Sequence, residues 1–137
     1  MEYKFEVPGT IVGKERPRVN TYTLTVYTPN KTKDYENLIV QYFYINYPGA
    51  QILDGRISIE IIAYMKIPKS TSKKDREKMI ANEISPTKKP DADNIGKVVL
   101  DALNKIAFKD DNQVSSLFIE KRYSEDEEKI EIEVDEY

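Results

Sequence analysis

Asp91, Asp93, Lys97, Asp110 and Asp111 fall on two short stretches, KPDADNIGK (Lys89 to Lys97) and KDDN (Lys109 to Asn112), on either side of an apolar run. A solvated surface alternates charge and a core excludes it, so two Asp-rich corners around one hydrophobic helix call for a chemical explanation. Asp91 and Asp93 are separated by one residue where a loop meets a helix, and in an extended segment both side chains point the same way and could share a cation. Asp93, Lys97 and Asp101 then follow at intervals of four, along one helix face. Carboxylates that hold Mg²⁺, with a lysine to offset charge on a phosphorane-like transition state, make the set for metal-assisted phosphodiester hydrolysis. Taken singly, the acids also have structural readings. Asp93 is a good N-cap, Asp101 can pair with Lys97 or Lys105, and Asp-Asp-Asn is a common turn; Asp101 and Asp110 are assigned to such structural roles by default. A calcium loop of the EF-hand kind fails on spacing. Asp91, Asp93 and Gly96 fit its first, third and sixth positions, but Ile95 and Ala102 stand where oxygen ligands are required.

Composition narrows the chemistry further. The 137 residues include no His and no Cys, which removes the usual general base, the usual zinc ligand, thiolate sites and every Ser-His or Cys-His nucleophile. Oxygen donors alone suit Mg²⁺, with Mn²⁺ as a substitute. With no signal pattern and no long apolar run, the expectation is a cytoplasmic protein with no membrane partner. The net charge of −3 hides a split: residues 120–137 hold nine acids and three bases, and the rest of the chain carries a net excess of bases. Between Lys66 and Lys89 there are eight bases and three acids. Together with GKERPR (Gly13 to Arg18), this makes Lys14, Arg16, Arg18, Lys73, Lys88 and Lys89 the candidates for holding a nucleic-acid backbone. Charges alternate over Lys73 to Lys78, which also fits a solvated helix face.

Periodicity supplies the elements that would position these groups. Strands are expected at Tyr3 to Val7, at Thr21 to Tyr27 (a strand or hairpin arm) and at Arg56 to Ile67, then at Val114 to Tyr123 and Lys129 to Val134. Tyr35, Leu38, Ile39, Tyr42 and Ile45 recur at intervals of three and four, giving a helix from Lys31 to Asn46 with Tyr35 and Tyr42 in the core. Ser72 to Asn82 reads as a short charged helix. Asp93 to Ile106 reads as the clearest one, with a stripe of Ile95, Val98, Val99, Ala102, Leu103 and Ile106. The order points to a single α+β domain over 1–137, a mixed sheet with helices packed on one face. Tyr22 and Tyr27, beside the Arg16 and Arg18 loop, could stack on an unpaired base, although strand tyrosines also serve packing.

KPDADNIGKVVLDALNKIAFKDDNQV (Lys89 to Val114) closely resembles the RusA family of Holliday junction resolvases, with its Pro-Asp-x-Asp-Asn, Lys, Asp-Ala-Leu and Asp-Asp-x-Gln-Val signature. GKERPR, YTPNKTKDYE (Tyr27 to Glu36) and a strand ending Glu120-Lys121-Arg122-Tyr123 extend the likeness over nearly the whole chain. The resemblance implies catalytic, metal-holding acids at Asp91, Asp93 and Asp111 and an essential lysine at Lys97. It also implies a small α+β homodimer that cuts four-way DNA junctions symmetrically with Mg²⁺, in recombination and repair. Two other readings stay open at this point. A catalytically silent junction or single-strand binding module would bind without product, and an interaction protein with an acidic tail would show no salt-sensitive DNA binding.

Overall fold

A computed structural model describes residues 1–27 and 29–137. Thr28, in the expected break after the second strand, lies outside the described residues. Four strands form one mixed sheet: β1 (Glu2–Pro8), β4 (Ile57–Lys66), β5 (Val114–Ser124) and β6 (Lys129–Glu136), in the order β1-β6-β4-β5. β6 is antiparallel to both β1 and β4, and β5 runs parallel to β4. A separate two-stranded hairpin joins β2 (Arg18–Val19) to β3 (Val26–Tyr27). The expected strand from Thr21 to Tyr27 is therefore mostly turn, with only its last two residues paired.

Alternation explains which side of the sheet is covered. Ile57, Ile59, Ile61, Ala63 and Met65 of β4 are buried, as are Ile130, Ile132 and Val134 of β6 and Tyr3, Phe5 and Val7 of β1. Period two sends these side chains to one face. Burying each Ile or Val contributes about 1.5–3 kcal/mol. Two helices cover that face. α1 (Asn30–Asn46) lies against β1, and α3 (Ala92–Leu103) lies against β5 and α1. The other face stays open, with Glu60, Glu131, Glu133 and Asp135 among its residues. α2 (Lys73–Ile80) is short, has no buried residue and sits beside β5; the Ser72 hydroxyl caps it by accepting from the Asp75 N–H at 3.2 Å.

Three sequence expectations need correction. The buried stripe of α1 is Thr32, Tyr35, Ile39 and Phe43, whereas Tyr42 is half-buried and Ile45 is 69% exposed. Phe43 wins because Tyr3 and Phe5 of β1 meet its ring edge-on, with centroids at 5.1 and 5.6 Å. The cap position of α3 belongs to Asp91, which is extended after Pro90 and makes no side-chain capping bond, so Asp93 sits in the first helical turn. α3 ends at Leu103 rather than Ile106. Asn104 is extended and Lys105 takes a positive φ of 66°, reversing the chain so that the Lys105 N–H reaches the Phe108 carbonyl at 2.8 Å.

Candidate nuclease site

A cleft of about 900 Å³ opens between the segment Ile11 to Arg18 and the start of α3, with Lys31 of α1 on its rim. Close packing brings the two walls together. Gly13 lies so near α3 that a Cβ there would stand 2.7 Å from the Pro90 Cβ and 3.1 Å from the Asn94 Cβ, and the Lys14 N–H donates to the Asn94 carbonyl at 2.9 Å. Only a residue without a side chain permits this approach. The Arg16-Pro17-Arg18 loop thereby shares a cleft with Asp91, Asp93 and Lys97.

The cleft lining holds six bases, Lys14, Arg16, Arg18, Lys31, Lys89 and Lys97, against three acids, Glu15, Asp91 and Asp93. Ion pairs among the described residues engage Lys14, Arg18 and Lys97 but not Arg16, Lys31 or Lys89. A concave surface with this excess of uncommitted cations attracts a polyanion. Lys97 Nζ stands 3.8 Å from Asp93 Oδ2, one turn along α3, and both side chains are exposed. Lys73 and Lys88 do not line the cleft. Lys73 is on α2, and the Lys88 carbonyl accepts from Lys121 Nζ at 2.6 Å.

Lys14 is placed for a different task. Its Nζ donates to Glu36 Oε1 of α1 at 2.9 Å and stands 2.9 Å from Asp101 Oδ2 of α3. Burial alone would lower its pKa, but the bonds to Asp101 and Glu36 outweigh it and the group is held above the ordinary lysine value. This cation ties the loop to both helices. Neither partner was legible in the sequence, because Glu36 and Asp101 are distant along the chain.

The acids of KDDN sit beyond the far end of α3. Asp110 caps the 3-10 turn Asp111–Gln113: its side chain accepts from the Asn112 N–H at 3.0 Å, and its own N–H donates to Gln113 Oε1 at 2.8 Å. The Asn112 N–H and a hydrogen bond with Asp111 hold Asp110 below the usual carboxylate range. Asp111 is held above it by that bond to Asp110, by desolvation and by the charges of Asp110 and Asp101. Asp101, whose charge also acts on Asp111, is about two turns along α3 from Asp93. Among the described residues no three His, Cys, Asp or Glu side chains converge to hold a metal. Asp91, Asp93 and Lys97 line the cleft together, and Asp111 is not among its lining residues. The donor chemistry of the Asp91 and Asp93 pair still fits Mg²⁺, which is commonly held by one or two carboxylates together with substrate phosphate and water.

Residues 8–135 match the family model for endodeoxyribonuclease RusA. The chain belongs to the RusA family. It is also 37% identical over 127 residues to the Bacillus subtilis (strain 168) protein named uncharacterized protein YqaN, covering 90% of this chain and 89% of that one. RusA membership makes the chain an endodeoxyribonuclease in class. No helix among the described residues is long and apolar enough to cross a membrane. Sequence reasoning missed two contributors to the cleft. Lys31 was hidden in the YTPNK segment, and Gly13 carried no signal beyond its place in GKERPR.

Proposed function

We propose that this chain is a Mg²⁺-dependent, structure-selective endodeoxyribonuclease that resolves four-way (Holliday) junctions by paired symmetric nicks, in DNA recombination and repair in the cytoplasm. The observation that carries the reading is the cationic cleft with Asp91, Asp93 and Lys97 on its α3 wall. Arg16, Arg18, Lys31 and Lys89 hold the phosphate backbone, with Arg suited to bidentate phosphate contacts. Asp91 and Asp93 hold the divalent ion, Mg²⁺ or Mn²⁺, which when bound supplies Lewis-acid activation of water and of the leaving oxygen. Lys97, beside Asp93, offsets charge gathering on the phosphorus oxygens. Asp111 is the third metal-holding acid that the family motif implies. The acidic open face of the sheet lies away from the cleft, so like-charge repulsion favours approach by the cleft side. A homodimer suits the substrate, because two-fold-related subunits present one site to each of two symmetric strands.

The test is cleavage of a labelled four-way junction, with linear duplex as control, by wild type and Asp93→Asn in Mg²⁺ or EDTA. Paired, ligatable nicks that need both Mg²⁺ and Asp93 are expected, with junction binding kept in the variant. Tight binding by wild type without product would instead identify a silent binding module, and turnover retained in Asp93→Asn would remove that residue from the site.

A further inference from the structure

The hairpin that springs from the cleft has features the cleavage site does not use. Every residue from Arg16 to Tyr27 is exposed, and none of them is acidic. Its apolar side chains are displayed rather than packed: Tyr22 is 95% exposed, Leu24 78%, Val26 68% and Val19 57%. The turn is nonetheless well held. The Asn20 side chain accepts from the N–H groups of Tyr22 and Thr23 at 2.9 and 3.2 Å, the Asn20 N–H donates to the Thr25 carbonyl at 2.8 Å, and the Leu24 N–H donates to the Asn20 carbonyl at 2.7 Å. Leu24 adopts a φ of +57°, a left-handed conformation in which Asn or Gly is the easier residue. A leucine that is both strained there and bare to solvent gains nothing from the fold.

The surroundings identify the occupant. Arg18, at the foot of the hairpin, lines the cleft with Arg16, Lys31 and Lys89, so charge complementarity places a phosphate backbone beside it. The tip at Tyr22 is four residues on from Arg18, within about 13 Å of extended chain. That is roughly the axial length of four stacked nucleotides at about 3.4 Å each. Nucleobases lie next to such a backbone, and proteins that open a base step do so with apolar or aromatic side chains. We propose that the β2–β3 hairpin is a wedge that seats Tyr22 and Leu24 against unstacked bases at the branch point of DNA held in the cationic cleft. An intact duplex offers such a wedge no open base step, and a branch point does. The hairpin is thus a source of structural selectivity separate from the carboxylates. This rests on the reading of the protein as a junction nuclease.

The experiment uses the full chain in EDTA with a synthetic four-way junction carrying 2-aminopurine beside the branch point, and a Tyr22→Ser/Leu24→Asn variant. Asn accepts the left-handed turn, so the hairpin keeps its shape, which unchanged circular dichroism and melting would verify. Wild type should raise the 2-aminopurine fluorescence severalfold on binding. The variant should leave it near the free-junction value and lose about tenfold in junction-over-duplex affinity, in line with the loss of base stacking. Its affinity for linear duplex, and the salt slope of that affinity, should not change. An equal fluorescence rise from variant and wild type, both bound, overturns the wedge while leaving the nuclease reading in place. Failure of wild type to prefer the junction over duplex overturns both.

Discussion

Replacing Gly13 by alanine tests how the two halves of the site are joined. The added Cβ would meet the Pro90 Cβ at 2.7 Å and the Asn94 Cβ at 3.1 Å. Carbon atoms at rest stand about 3.5–4.0 Å apart, so the walls must part by roughly 1 Å. Relief is hard to find: one neighbour belongs to a proline ring and the other to a Cβ fixed on α3. Overpacking of this kind costs about 1–3 kcal/mol, and weakening the Lys14 N–H to Asn94 carbonyl bond adds about 0.5–1.5 kcal/mol. The loss of unfolded-chain entropy returns about 0.4–1 kcal/mol, for a net destabilisation of about 0.5–4 kcal/mol. The effect on chemistry should be larger, since a displacement of about 1 Å between positioning and reacting groups can cost about 10²-fold in rate. Urea unfolding followed by circular dichroism gives the first number, and single-turnover cleavage of the four-way junction gives the second. Gly49→Ala is the control. A Cβ at Gly49 meets nothing within 4 Å, and its effect should stay within about 0.5 kcal/mol. If Gly13→Ala matched wild type in both midpoint and rate, the loop and α3 would not be coupled as described.

Lys14→Met should lower stability by about 1–3 kcal/mol, between the values for exposed and buried ion pairs, because Glu36 and Asp101 lose their shared cation. The folded pKa of Lys14 lies above its unfolded value, so its contribution is fully present below about pH 10 and is lost as pH rises through the folded value. Unfolding curves should therefore show a constant gap between variant and wild type from about pH 7 to 9.5 and a shrinking gap above; a gap that widened with alkalinity would refute the assignment. The Tyr35 hydroxyl is buried without a hydrogen-bond partner among the described residues, and burial, aided by Glu128, pushes its pKa up. Tyr35→Phe should thus be neutral or stabilising by up to about 1 kcal/mol, and a drop in Tm of several degrees would show that the hydroxyl has an essential partner.

Local periodicity made α3 and the buried alternation of β4 legible, because each signal is complete within a dozen residues. The KPDADN corner was legible for the same reason, as two carboxylates one residue apart at a helix start. Other features depend on what lies across the fold. Phe43 rather than Ile45 faces the core because Tyr3 and Phe5 wait for it on β1, some forty residues earlier in the chain. Lys14 reads as one more DNA-binding cation until α1 and α3 bring Glu36 and Asp101 to it. The end of α3 is set by the backbone reversal at Lys105 rather than by the apolar stripe, which continues to Ile106.

The position of β6 bears on when this protein can exist at all. β6 lies between β1 and β4, pairing with both, although it is the last of the strands to be made. During synthesis β1 emerges first but finds no neighbour, and α1 and α3 have only part of a sheet to cover until residues 129–136 arrive. Folding from the amino terminus, the usual course for successive domains on the ribosome, is closed to a chain arranged in this way. The cleft between the segment Ile11 to Arg18 and α3 therefore takes shape only after residues 129–136 have been synthesised.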